Sequence, residues 1–433
     1  MKLSIIGGGG FRVPLVYQAL VSERMPLIDE VWLHDTSASR LAVIESVLSQ
    51  LPHPIPVHGT TVLDQALEGS DFVFSAMRVG GLAGRIEDER TAIERDVIGQ
   101  ETTGPGGIAY ALRTIPVALR MAERVRALAP DAYVINFTNP AGMITEAMRE
   151  VLGDRVIGIC DTPSGLGTRI AELLDVPAEE VRLDYAGLNH LGWLRGAFYQ
   201  SRDLVTEILG RDEALAQLEE AQIMGADWLR TLGMIPNEYL YYYYFDREAL
   251  RAVRGETRGE YLLGQQDGFY REAAADPADA LAAWQRALSE RVSSYMAEAR
   301  PEGTERPASG GGYEYVALGL MRAIALDEPR TMILNVRNGD ALPGLPSDSV
   351  VEVPCHVDGK GARPVPVTAP SGAELGLLQQ VKAVEQYTIG AARDRDPESA
   401  LKAFALHPLV DSVPVARELL AAYRRNTPTL FGT

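Results

Sequence analysis

The run Leu3-Ser4-Ile5-Ile6-Gly7-Gly8-Gly9-Gly10 decides the fold. A short apolar strand breaks into glycines, and a helical pattern follows from about Pro14 to Glu23, with Leu15, Ala19 and Leu20 on one face. Glu30-Val31-Trp32-Leu33-His34-Asp35 then reads as a strand that ends in an acid. Strand, glycine turn, helix, strand, acid is the opening of a dinucleotide-binding βαβ unit. The fingerprint is not the strict G-x-G-x-x-G: Arg12 and Val13 stand where its last glycine belongs, and Asp35 comes later than the usual spacing of about 20 residues. Its physical logic holds nonetheless, because glycines let backbone amides approach a pyrophosphate at a helix N-terminus. Asp35 is placed to accept hydrogen bonds from ribose hydroxyls, and a 2′-phosphate would face its carboxylate, which favours NAD over NADP. The alternative is a tight turn that holds no ligand.

Outward from this unit, Asp71–Ala76, Ala132–Phe137 and Arg155–Cys160 are further buried-strand runs, with helical stretches at about 38–50, 109–129 and 141–152 between them. Alternating strands and helices predict an α/β fold, a Rossmann-like doubly wound parallel sheet with ligands at the carboxyl ends of its strands. Pro116 is expected to kink or end the 109–129 helix. After about residue 165 the alternation weakens. Helical patterns dominate around 211–233, 271–299, 310–326 and 374–393, with a strand-rich patch near 331–353 and a Pro- and Gly-rich loop at 301–312. The expectation is a Rossmann-like domain over 1–165 and a second, mainly helical α+β domain over 166–433.

A chain of 433 residues buries a core without disulfides or a structural metal. With 41 basic and 59 acidic residues its net charge is −18, which argues against a nucleic-acid or anionic-membrane partner. The N-terminus lacks the apolar stretch of a signal peptide, and no apolar run approaches the roughly 18 residues of a membrane span. Two cysteines, Cys160 and Cys355, make no disulfide framework, so a cytoplasmic setting is expected.

Cys160 closes a predicted strand, and His190 lies in Gly187-Leu188-Asn189-His190-Leu191-Gly192-Trp193. Thiolate and imidazole are both ligands for divalent transition metals, although a lone Cys160 also reads as a small buried hydrophobe and His190 as a structural histidine. Arg78 and Arg85 follow the third strand run, and Gly99-Gln100-Glu101-Thr102-Thr103-Gly104 is a polar glycine loop opening a helix. Asn136-Phe137-Thr138-Asn139-Pro140 puts an amide at a strand end. Five tyrosines fall within the six positions Tyr239–Tyr244, too many to face one way, so several must be packing residues. A tyrosine serves as a base only where a cation lowers its pKa from about 10.

Taken together, Gly99–Gly107 with Ala111-Leu112-Arg113-Thr114, Asn136–Gly142, Gly158-Ile159-Cys160, Gly187–His190 and Asn237-Glu238-Tyr239-Leu240 resemble glycoside hydrolase family 4, most of all its 6-phospho-β-glucosidase branch. The resemblance covers nearly the whole chain. This NAD-dependent family departs from the two-carboxylate scheme of other glycosidases. The resemblance implies transient oxidation at sugar C3 by NAD, removal of the C2 proton by a tyrosine, elimination of the aglycone, addition of water and return of the hydride. It implies Cys160 and His190 as ligands of Mn²⁺ or another divalent metal, Tyr239 as the base, and Asn139 and Asn189 near the sugar. Arg78, Arg85 and Arg258 are the candidate phosphate ligands, since guanidinium forks match phosphate oxygens. The cofactor contacts are expected at Gly7, Gly8, Gly9, Gly10, Phe11, Asp35, Arg40 and Gln100. Asp161 stands where many β-specific members have asparagine and where an aspartate of α-specific members is thought to protonate the leaving group, so the anomeric preference stays open. An enzyme for unphosphorylated glycosides, a 2-hydroxy acid dehydrogenase and a non-catalytic NAD or sugar-phosphate sensor are the other readings. The family resemblance also implies a homodimer or homotetramer.

Overall fold

The computed structural model describes residues 1–22, 27–52, 55–296, 299–300, 312–427 and 430. His53 and the expected loop at 301–312, apart from Gly312, lie outside those residues. Six strands form the parallel half of the sheet: β1 (Lys2–Ile6), β2 (Glu30–His34), β3 (Val57–Thr60), β4 (Phe72–Ser75), β5 (Tyr133–Asn136) and β6 (Val156–Gly158). Their order is β3-β2-β1-β4-β5-β6, the arrangement of dinucleotide-binding folds, with the switch point between β1 and β4. β1 and β4 are buried along their length and, apart from Lys2 at the start of β1, consist of apolar residues and serine, as a sheet covered on both faces requires. Five of these strands are expected from their apolar runs. β3 is an addition, because Val57-His58-Gly59-Thr60 lies at the sheet edge, is half exposed and carries no apolar run to announce it.

The sheet does not stop at β6. It continues through β11 (Arg330–Arg337), β12 (Val350–Asp358), β7 (Arg182–Leu188), β8 (Leu191–Tyr199) and β10 (Ile235–Pro236), all paired antiparallel, while β9 (Arg202–Asp203) and β13 (Gly361–Pro364) flank β8 and β12. The link to the parallel half is a single register pair, Asn335↔Gly158, and the next seam is Glu352↔Gly187. The second half therefore holds a β7–β8 hairpin and its neighbours as well as helices.

Two expected helices differ in detail. Gly104–Leu128 runs as one helix through Pro116. Its buried face packs on the Ala141–Leu152 and Gly372–Asp394 helices, and that burial outweighs the bond that proline removes. The 211–233 pattern is instead three short pieces, Asp212–Leu215, Glu219–Met224 and Ala226–Leu232, the last two parted by Gly225 at φ +85°. No helix among the described residues is long and apolar enough to cross a membrane.

Candidate active site

The carboxyl ends of β1, β4, β5 and β6 open into one cavity, and residues of the second half close its other side. Gly7 and Gly8 both donate to the His34 carbonyl, at 2.9 and 2.8 Å, and Gly10 donates back to Gly7 at 2.9 Å. Gly7 sits at φ +92°, and a Cβ there would come within 2.5 Å of the carbonyl oxygen of Ala76, just past β4. The turn thus needs its glycine for its own packing across the switch point, besides any ligand. Asp35 lies at the turn as expected: its carboxylate accepts from the backbone amides of Gly9 (3.1 Å) and Ser37 (3.0 Å). Arg40 lies over the ring of Tyr270, whose hydroxyl donates to the Gly9 carbonyl at 2.7 Å. Trp284 Nε1 donates to the Phe11 carbonyl at 2.9 Å and the Tyr313 hydroxyl to that of Arg12 at 2.9 Å. Three aromatic residues of the second half thus hold the outer carbonyls of the turn. The Phe11 ring packs edge-on against Phe269, while the residue still borders the cavity. A cradle of this shape fits a dinucleotide pyrophosphate.

Gln100 uses its side-chain oxygen to tie its own loop, accepting from the amides of Thr102 (2.6 Å) and Thr103 (2.7 Å) and from the Thr102 hydroxyl (3.1 Å). The Thr102 hydroxyl also meets His190 Nδ1 at 2.7 Å. Since that hydroxyl gives its proton to Gln100, it accepts from Nδ1–H, which leaves Nε2 with a free lone pair. Burial, only partly offset by Glu101, lowers the His190 pKa to about 4, so the ring is neutral at physiological pH. His190 occupies the two-residue turn between β7 and β8 at φ +64°, a left-handed conformation uncommon outside glycine, in which asparagine, aspartate and histidine are enriched.

Cys160 borders the same cavity, and burial, with help from Glu352 and Asp161, pushes its thiol well up. A thiol in that setting becomes a ligand thiolate only beside a cation. The pair fits a borderline-soft divalent metal. Among the described residues no third histidine, cysteine or carboxylate joins them in a metal-binding cluster. Cys355 is remote from this chemistry; its Sγ bonds to the Val353 carbonyl within the core.

Tyr239 lies in a single turn, Glu238–Leu240, capped by Asn237, whose side-chain oxygen accepts from the Tyr239 amide at 3.0 Å. Its ring stacks flat on His190, with centroids 3.8 Å apart and planes 1° from parallel. The Tyr295 hydroxyl donates to the Tyr239 hydroxyl at 3.2 Å, and burial raises the Tyr239 pKa. The other tyrosines of the run divide as packing demands. Tyr241 and Tyr242 are buried, and Tyr244 accepts from Trp193 Nε1 at 3.0 Å. Glu238 is a residue that sequence reasoning passes over. Burial and the nearby Glu220 and Glu219 push it up to about 8, and it accepts from the Thr162 hydroxyl at 2.8 Å.

The expected cations converge as well. Glu101 bridges Arg78 and Arg85, the latter at 2.7 Å, and Arg85 also pairs with Glu89 at 2.7 Å. Burial works against the Glu101 carboxylate, but the two guanidiniums outweigh it and hold the pKa at about 2. Arg258 borders the cavity and donates to the Ser294 and Arg291 carbonyls at the end of the Ala280–Ser293 helix. Arg291, which no local motif signals, joins them. Burial, followed by Arg12, Arg258, Arg78 and Arg85, drives its pKa well down, and no carboxylate among the described residues lies within ion-pair distance. Such a cluster is an anion site in search of charge. Asn139, Asp161 and Asn189 border the cavity too, and the charge of Asp161 supports that of Arg12.

The profile of the family 4 glycosyl hydrolases matches residues 2–176, and that of the family 4 glycosyl hydrolase C-terminal domain matches residues 185–410. The chain is 32% identical to the probable 6-phospho-beta-glucosidase of Bacillus subtilis (strain 168), over 100% of this chain and 98% of that protein. It superposes on the 6-phospho-beta glucosidase from Thermotoga maritima solved with manganese, NAD+ and glucose-6-phosphate, with a TM-score of 0.82 and 28% identity, covering 99% and 98% of the two chains. A 6-phospho-alpha-glucosidase from gut microorganisms, solved with NAD and Mn2+, is as similar in fold, with a TM-score of 0.83 at 25% identity over 99% and 98%. With its glycine cradle, thiol–imidazole pair and cation cluster around one cavity, the chain belongs to family 4 of the glycosyl hydrolases.

Proposed function

We propose that this glycosidase hydrolyses 6-phospho-β-glucosides with NAD and a divalent metal, manganese foremost. The observation that carries the reading is that Cys160, His190 and Tyr239 border the same cavity as the glycine turn and the arginine cluster. Bound there, NAD would supply a reversible hydride acceptor, and a divalent cation would supply positive charge against the negative charge that develops on deprotonation. Cys160 Sγ and His190 Nε2 would hold the cation. Tyr239 takes the C2 proton, and stacking on the neutral His190 ring orients its hydroxyl. Because burial raises that phenol, it acts as a base only with positive charge close by, which ties its action to metal occupancy. Arg78, Arg85, Arg258 and Arg291 draw the substrate phosphate, with Glu101 and Glu89 holding the forks in place until it arrives. Gly7–Gly10, Phe11, Asp35, Arg40 and Gln100 shape the dinucleotide cradle, while Asn139 and Asn189 face the sugar.

Asp161 supports a second reading, an α-glycosidase in which it protonates the leaving group, since it borders the cavity next to Cys160. The two are separated by hydrolysis of paired α- and β-aryl glucoside 6-phosphates in D₂O with NAD⁺ and Mn²⁺. Deuterium at product C2 supports the mechanism, and the faster anomer identifies the substrate; turnover without deuterium, or with net NADH, counts against it. The division at residue 165, a cytoplasmic location and a homodimer or homotetramer belong to the same proposal, and light scattering of the purified chain tests the last.

A further inference from the structure

Glu352 on β12 is 1% exposed and belongs to no step described so far. Its carboxylate has no ion-pair partner among the described residues. Instead it collects neutral donors: Oε1 accepts from Asn335 Nδ2 (2.8 Å) and Asn189 Nδ2 (3.3 Å), and Oε2 accepts from the Tyr185 hydroxyl (3.2 Å). A buried carboxylate without a cation is costly, so its presence asks for a reason other than stability.

Each donor leads to the site. Asn189 is the neighbour of His190 in the β7–β8 turn. Tyr185 accepts from Asn237 Nδ2 at 3.4 Å, and Asn237 in turn caps the Tyr239 amide. Asn335 pairs with Gly158, two residues before Cys160, and packs where a Cβ on Gly158 would lie 2.8 Å away. Gly192 is bare for the same purpose: a Cβ there would meet the Tyr185 hydroxyl at 2.4 Å. The two longer arms end on rings that touch one another, His190 and Tyr239. The contacts therefore close a circuit from Glu352 through Asn189 and His190 to Tyr239, and back through Asn237 and Tyr185.

We propose that Glu352 is a positioning residue that sets the His190 turn and the Tyr239 turn in one frame, so that metal ligand and base are presented together. The inference rests on the roles of Cys160, His190 and Tyr239 proposed above. Hydrogen-bond geometry, not charge, is the agent. A glutamine keeps an oxygen for the two asparagines and the shape of the side chain, reversing only the bond to Tyr185, whereas leucine keeps the volume and loses every bond.

The test titrates Mn²⁺ into the full chain with NAD⁺ by electron paramagnetic resonance, for the wild type, Glu352→Leu and Glu352→Gln, with melting temperatures alongside. Glu352→Leu should raise the Mn²⁺ Kd about tenfold, the scale for supporting partners of metal ligands, with Glu352→Gln within about threefold of wild type. Equal weakening in both variants, or no change in a folded Glu352→Leu that only melts earlier, overturns the proposal. Tyr185→Phe cuts only the arm to Asn237. It should slow C2 proton exchange about fivefold, as loss of one hydrogen bond does, while Mn²⁺ binding stays unchanged. Should Glu352→Leu fail to fold, wild-type exchange in Tyr185→Phe overturns the proposal and slowed exchange supports it. A wild-type chain that binds no Mn²⁺ overturns the site assignment itself, a result distinct from equal binding by all variants.

Discussion

The two sides of the cavity are built by different means. On the cofactor side the chain presents mostly backbone: a four-glycine turn and one short strand-to-helix connection with Asp35, within the first 35 residues, flanked by Arg40 and Gln100. On the chemical side it presents side chains from distant segments, with Cys160 after β6, His190 from a hairpin turn and Tyr239 from a single capped turn. A backbone cradle is made largely by local conformation, with three distant aromatic donors on its outer carbonyls. A side-chain constellation depends on the register of every strand beneath it. Substitutions on the two sides should therefore fail differently.

The largest effect is expected at the base. Tyr239→Phe should lower kcat by about 10³-fold, within the range for loss of a general base, with NAD⁺ binding unchanged by fluorescence titration. C2 exchange at the wild-type rate would move the base elsewhere and dissolve the contrast. Cys160→Ser comes next. It should weaken Mn²⁺ binding by about 100-fold, the upper end of what even a supporting partner costs, while circular dichroism stays native. Full Mn²⁺-dependent activity in that variant would break the metal assignment.

Glu101→Gln probes the cations between the two sides. Losing the bonds to Arg78 and Arg85 should cost about 2 kcal/mol in chemical denaturation at pH 7. Because the folded carboxylate titrates at about 2, below its ordinary value of 4.5, its contribution is complete above pH 4.5. It is lost only as pH falls towards 2. The gap between wild type and variant should thus persist at pH 5 and narrow below pH 4. A gap that closes already at pH 6 would mean the bridge does not form.

The smallest effect is expected on the cofactor side. Trp284→Phe removes the bond to the Phe11 carbonyl and should raise the NAD⁺ Kd about fivefold, near 1 kcal/mol, with kcat at saturating NAD⁺ unchanged. A loss as large as that of Cys160→Ser would show that the turn, too, depends on distant support.

The same contrast explains what could be read from residues alone. The strands β1, β2, β4, β5 and β6 are legible because buried parallel strands leave apolar runs, whereas β3 at the edge leaves none. Cys160, His190 and Tyr239 are legible through motifs, and each borders the cavity. Arg291 and Glu352 are not, since an arginine in a helix and a glutamate in a strand carry no local signal of what they meet. Glu238 and the three aromatic donors to the glycine turn are hidden for the same reason. Pro116 misleads, because packing on two neighbouring helices overrides a local preference.

The amino-acid order by itself determined the Rossmann-like opening, the likeness to family 4 and the identity of the chemical groups, because these rest on local periodicity and on residue types at short spacing. Only the tertiary structure decided that the sheet runs on past β6 and that His190 stacks on Tyr239. It alone decided that six arginines, Arg12 and Arg169 among them, share one cavity and that a buried carboxylate ties the two turns together. Those outcomes depend on pairings between residues far apart in the chain, such as Asn335 with Gly158 and Glu352 with Gly187, whose energies exist only once the strands are in register.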